Sequence, residues 1–132
     1  MIKSEQQKNR TIKALEDFKN RLSDISEYSK AGVLAMIGQL EKELEEYEAL
    51  KRGEFVLPRD ITFVELVKNI AKIRIAKGLS QQDLANMLGI SKQQINRYEE
   101  HDYQNVSLTK ISEIIAVLGL TVILERKNDK AA

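Results

Sequence analysis

Lys92, Gln93, Gln94, Asn96 and Arg97 crowd into one short polar segment, and these side chain types carry the donors and acceptors that read nucleic-acid base edges. Gln and Asn match the adenine edge, Arg and Lys the guanine edge, and Arg or Lys also holds phosphates. They do so only when a rigid element presents them together on one outward face. The segment supplies such an element. Ser91 suits an N-cap, and Ile95 and Tyr98 give a narrow apolar stripe at helical spacing, leaving the other faces polar. A polar stripe alone also describes an ordinary solvated helix, so the residues just upstream matter.

Those residues read as a second short helix joined to the first by a tight turn. Ser80 stands where an N-cap belongs, and Asp83 takes the third helical position of a capping-box-like start. Leu84, Ala85 and Leu88 then make one face apolar, with Ala85 small enough to let another helix cross closely. Gly89 follows at once and suits the left-handed backbone that ends a helix. Ile90 serves as an apolar plug. Turn, caps and small residue together predict a helix-turn-helix over Ser80 to Glu100.

From about Phe63 to Leu120 the chain resembles the Xre (Cro/C1-type) helix-turn-helix family, on Ser80-Gln81, Leu84-Ala85, Gly89-Ile90-Ser91, Ile95 and Glu99. The resemblance implies that Gln81 positions a backbone phosphate, that Lys92, Gln93 and Arg97 contact bases or phosphates, and that Ser91 and Asn96 support them. Gln94 shares the same outward face. One departure stands out: the family often follows the glutamate with Asn-Gly, and Glu100-His101-Asp102 takes that place here. The loop after the recognition helix is therefore expected to differ.

Composition bounds the remaining possibilities. A length of 132 residues suits one domain with an appendage. No apolar run is long enough to span a bilayer, and the start, MIKSEQQKNR, has no apolar signal core, so a cytoplasmic protein with no membrane partner is expected. With no cysteine, disulfides and thiolate metal sites are excluded. Net charge is only +1, but residues 59–132 hold 11 basic against 9 acidic side chains, whereas residues 1–58 hold 10 against 11. Because phosphate neutralisation drives affinity for DNA, a unit so weakly basic would hold a duplex loosely alone, and two copies are expected to act together.

Along the chain, Ile12, Leu15, Phe18, Leu22 and Ile25 mark an amphipathic helix over about Ser4 to Tyr28. After Ser29, which can cap it, a second helix over Lys30 to Lys51 carries Val33, Met36, Ile37, Leu40, Leu44, Tyr47 and Leu50. The pair is expected to fold as an antiparallel hairpin, residues 1–52, serving dimerisation or partner binding. Residues 53–59, with Gly53 and the single proline Pro58, form the expected linker. Residues 60–132 are then the DNA-binding unit. Its first helix carries Phe63, Leu66, Val67, Ile70 and Ile73 behind a Thr62/Glu65 capping pattern and closes at Gly78. Its last helix starts at Ser107, buries Leu108, Ile111, Ile114, Ile115 and Leu118, and ends at Gly119.

The β-branched, apolar run from Leu120 to Glu125 predicts a strand. A lone strand leaves its backbone groups unpaired, so Thr121, Val122, Ile123 and Leu124 are expected to pair with a second copy about a two-fold axis. An extension of the preceding helix and an irregular tail are the alternatives. This tail also resembles that of HipB-type antitoxins, in which a C-terminal strand joins two subunits. The expected fold is thus all-α: a five-helix Xre-type helix-turn-helix domain with an N-terminal antiparallel helical hairpin and a short C-terminal β-strand.

No enzyme is expected, since neither a nucleophile with its base nor a metal cluster assembles, and no cofactor or metal is implied. His101, the only histidine, reads as a loop side chain. Gly32 and Gly38, inside the second hairpin helix, mark close helix approach or a kink, because glycine costs about 1 kcal/mol against alanine there. Met36 and Met87 read as core filler. Partners expected are double-stranded DNA and a second copy. The function implied is a sequence-specific transcriptional regulator, a repressor on a palindromic operator. The alternative is an antitoxin of the HigA or HipB kind, whose helical module binds a toxin protein while the DNA-binding part regulates its own operon; the Leu44 to Glu48 stretch is similar to segments of some HigA-like proteins.

Overall fold

The computed structural model describes residues 1–127. Two helices form the N-terminal hairpin: α1 (Glu5–Arg21) and α2 (Glu27–Lys51), joined by a single 3-10 turn at Leu22–Asp24. Ser4 and Ser26 cap them, each accepting a hydrogen bond from a backbone N–H of the first turn. The first helix is shorter than its apolar spacing suggests. Ser26 rather than Ser29 starts α2, because the extended backbone of Ile25 and Ser26 already breaks the helix.

Five helices follow: α3 (Phe63–Lys68), α4 (Ile70–Ala76), α5 (Gln81–Leu88), α6 (Lys92–Glu100) and α7 (Leu108–Val117). The periodicity of Phe63 to Ile73 predicts one helix, and the structure interrupts it at a single residue. Asn69 leaves helical geometry at φ −100° and ψ 5°, and its side-chain amide donates to the Glu65 carbonyl at 2.7 Å. A short amide that bonds a preceding carbonyl competes with the helical ladder, which accounts for the break.

The core sits inside these five helices. Ile70, Leu84, Ala85, Ile95 and Ile114 are fully buried there, with Tyr103 and Leu118 almost so. The segment 53–59 is no free tether: Phe55 and Leu57 pack half-buried against this core. A smaller cluster of Ile2, Tyr47, Leu50 and Ile75 fastens the hairpin to α4. Burial and one left-handed residue, Gly53 at φ 80°, therefore bring the end of α2 back onto the five-helix unit.

The strand expected at residues 120–125 is absent. Among the described residues there are seven α-helices, one 3-10 turn and no strand, and residues 120–127 run without regular structure. A strand exists only through its ladder, and no second segment of this chain lies alongside to supply one. Leu120 still packs half-buried on the core, but Ile123 and Leu124 are 80% and 92% exposed. The irregular tail, not the strand, is what one chain adopts. The last five residues of the unit expected to run to 132 lie outside the described residues.

Candidate nucleic-acid interface

α5 and α6 owe their positions to their ends. Ser80 accepts from the Asp83 N–H at 3.0 Å while the Asp83 carboxylate accepts from the Ser80 N–H at 2.9 Å, a complete capping box. The Ser80 backbone N–H first, and the Ser80 hydroxyl second, hold the Asp83 carboxyl below its ordinary range. At the other end Gly89 turns left-handed, φ 67° and ψ 31°, which lets the Ile90 N–H reach back to the Ala85 carbonyl at 3.0 Å. Ser91 then caps α6 by accepting from the Gln94 N–H at 3.1 Å. With Ala85 and Ile95 both at zero exposure in the crossing, the second helix is pressed onto the first along its apolar edge.

That leaves the polar flank of α6 outward. Lys92, Gln93 and Arg97 are exposed, and Gln94 and Asn96 are half-buried along the same helix. Lys92 and Arg97 take part in none of the ion pairs among the described residues. The sequence-predicted residues Ser91, Lys92, Gln93, Gln94, Asn96 and Arg97 thus come together on one element. A cleft of about 650 Å³ separates this face from the start of α1 and is lined by Gln6, Lys51, Gln82, Asp83 and Lys92 among others. The hairpin therefore stands beside the exposed flank and does not cover it.

Gln81 is placed differently. Its side chain is buried, 3% exposed, and its amide donates to Glu99 Oε1 at 2.9 Å. There it joins a polar hub that sequence reasoning missed. Arg74 clamps Glu99 with two bonds, Nε to Oε2 at 2.8 Å and Nη2 to Oε1 at 2.7 Å, and the Tyr103 hydroxyl donates to Oε2 at 2.9 Å. The remaining Arg74 donors reach the Leu79 and Lys3 carbonyls, both at 2.7 Å. Arg74 and Glu99 are 2% and 1% exposed, so each charge survives burial only because the other is present and every polar atom has a partner. Burial, with the Glu99 carboxylate next, drives the Tyr103 hydroxyl far above its ordinary range. One signal was available in advance: Glu99 falls four residues after Ile95, on the buried side of α6, where an apolar residue belongs.

The loop after α6 carries Glu100-His101-Asp102 and has a backbone conformation of its own. Asp102 and Tyr103 both take positive φ, 49° and 59°, a conformation that non-glycine residues adopt only when neighbours hold them there. Tyr103 is held by its bond to Glu99 and by Tyr98, whose ring centroid lies 5.8 Å away. His101 is exposed on the loop surface.

Residues 70–123, from the first residue of α4 to the tail beyond α7, match the family model described as helix-turn-helix. The chain carries a Cro/C1-type, Xre-like helix-turn-helix domain. Such a domain supports DNA binding and transcription regulation, and α5 and α6 form its helix-turn-helix pair. The match spans less than half of the chain and leaves the hairpin outside the helix-turn-helix family model. Searches of curated proteins and of solved structures returned no match. Among the described residues no helix is long and apolar enough to cross a membrane.

Proposed function

We propose that the chain is a sequence-specific transcriptional repressor that binds a palindromic operator as a homodimer. The observation that carries this reading is the division of α6 into a locked side, Ile95 and Glu99, and a free side, Lys92, Gln93 and Arg97. Two such helices enter successive major grooves about 34 Å apart. Lys92, Gln93 and Arg97 discriminate bases, while Ser91, Gln94 and Asn96 fix and flank them. Gln81 acts through its backbone: with its amide engaged by Glu99, the first N–H groups of α5, which have no preceding turn to bond, face the phosphate. Such contacts set register and carry no sequence information. Exposed Thr121, Val122, Ile123 and Leu124 supply apolar surface for self-association without a ladder. The site of action is the cytoplasm, where the operator is.

Selection of duplexes from a random pool tests this, with stoichiometry measured on the winning site. A palindrome carrying two protomers is the expected result; failure to enrich any sequence overturns the reading.

A second reading has an observation of its own. The far end of the hairpin exposes Tyr28 at 96%, Leu34 at 54% and Met36 at 47%, and beyond the backbone of α2 itself the space beside Gly32 and Gly38 is open. This surface suits an antitoxin in which residues 1–52 bind a toxin protein and the helix-turn-helix domain regulates the operon. Coexpression with the product of an adjacent toxin-sized reading frame separates the two readings: a stable complex lost on Tyr28→Ala/Leu34→Ala supports the antitoxin.

A further inference from the structure

The residues before α1 reach across to the far end of the recognition helix. Ile2 is buried, 3% exposed, in the cluster with Tyr47, Leu50 and Ile75. Lys3 follows and is fixed through its backbone: its N–H donates to Gln7 Oε1 at 2.8 Å and its carbonyl accepts from Arg74 Nη2 at 2.7 Å. Its ammonium then donates to the carbonyl of Glu99, in the last turn of α6, and to Asp102 Oδ1 at 3.1 Å. Two things are satisfied by one cation. A positive charge sits at a helix C-terminus, where the helix dipole favours it, on a carbonyl that also accepts from the Asp102 N–H. The carboxylate of Asp102, the first of two consecutive left-handed residues, is tied down. The Lys3 side chain is only 13% exposed while that of Asp102 is 54% exposed, so the contact is shielded mainly from the lysine side.

We infer that Lys3 is a positioning residue for DNA recognition, setting the C-terminal end of α6 and the Asp102-Tyr103 turn through contacts made from outside the helix-turn-helix domain. The inference rests on the DNA-binding reading above and deepens it: the hairpin module contributes to sequence discrimination without touching the duplex. Every bond in the chain is present: Ile2 anchors to the hairpin cluster, Lys3 to α4 through Arg74, and its ammonium to α6. Arg74 and Glu99 hold the middle of this assembly, so the ammonium of Lys3 is the part that acts on the helix end alone.

The test uses the full chain and a duplex selected from a random pool, with a scrambled duplex as reference. The variants are Lys3→Met, Lys3→Arg and Asp102→Asn. A tilt of α6 that costs the geometry of one base contact lowers the ratio of the two affinities by roughly tenfold. Lys3→Met is expected to show that loss, Lys3→Arg to recover most of it, and Asp102→Asn to lose discrimination in a way that does not add to Lys3→Met. A stability defect alone reduces the active fraction and weakens both duplexes equally, so an unchanged ratio in Lys3→Met and in Asp102→Asn overturns the inference. A wild-type chain that prefers no duplex overturns the DNA-binding reading and the inference with it, and is recognised before any variant is made.

Discussion

The two halves of this molecule solve the burial problem in opposite ways. In the helix-turn-helix domain four short helices of seven to ten residues, each too short to stand alone, bury Ile70, Leu84, Ile95 and Ile114 completely. In the hairpin, α1 runs for 17 residues and α2 for 25, yet α1 has no buried residue and α2 has three. Two of those three, Tyr47 and Leu50, pack with Ile75 of the domain. Long helices are thus no guide to where stability resides. Short helices stapled by caps and a polar hub form the rigid body, and the hairpin is a projecting arm whose far surface is unfinished.

Replacing Glu99 by Gln is the most severe way to break the contrast. It leaves the Arg74 guanidinium buried and uncompensated, a defect that costs about 3–5 kcal/mol. Urea unfolding followed by circular dichroism is expected to show that loss for the whole chain, because the hub joins α4, the start of α5, α6 and the residue 3 backbone. A small loss would mean that the domain does not depend on the hub.

A matched pair of truncations sharpens the comparison. Leu84→Ala removes a fully buried side chain from between helices and is expected to cost about 2–5 kcal/mol. Phe18→Ala removes a larger but half-buried side chain from the hairpin, and about 1–2 kcal/mol is expected from partial burial. Equal costs in the same unfolding assay would erase the distinction between rigid body and arm.

Alkaline pH probes the hub more gently. The Tyr103 hydroxyl is held protonated, by burial first and by the Glu99 carboxylate second, above the ordinary tyrosine value of 10.0. A folded-state pKa raised above the unfolded one contributes stability that is complete below the unfolded value and is lost as pH rises past it. Thermal melting is therefore expected to fall above pH 10 or so, and Tyr103→Phe to flatten that fall. Tyr47, whose hydroxyl burial pushes up to about 12 in the hairpin cluster, gives a loss of the same sign over a narrower pH window. An alkaline limb unchanged in Tyr103→Phe would remove Tyr103 as its source.

The helix-turn-helix and its caps were legible because they are local. Ser80 with Asp83, Gly89 and Ser91 each act within a few residues, and the structure realises every one of them. Glu99 and Arg74 were not legible as a pair, since nothing in a sequence brings together residues 25 apart. Arg74 carries no mark in the sequence that separates it from an ordinary charge in the last turn of a helix, and the phosphate role of Gln81 rested on the family resemblance, which does not show its bond to Glu99. The tail misled for another reason. Thr121 to Leu124 have strand composition, but composition supplies no ladder, and the chain alone leaves these residues irregular. Lys3 carried no signal, being an isolated cation ahead of an amphipathic helix.

The central claim, that the free flank of α6 reads DNA, is tested most directly by titrating the selected and scrambled duplexes with wild type, with Arg97→Ala, and with Lys92→Ala/Gln93→Ala/Arg97→Ala at one fixed salt concentration. Arg97→Ala is expected to lose about 1–3 kcal/mol on the selected duplex and much less on the scrambled one, and the triple variant to prefer neither. A triple variant that stays folded and still discriminates as well as wild type would contradict the account.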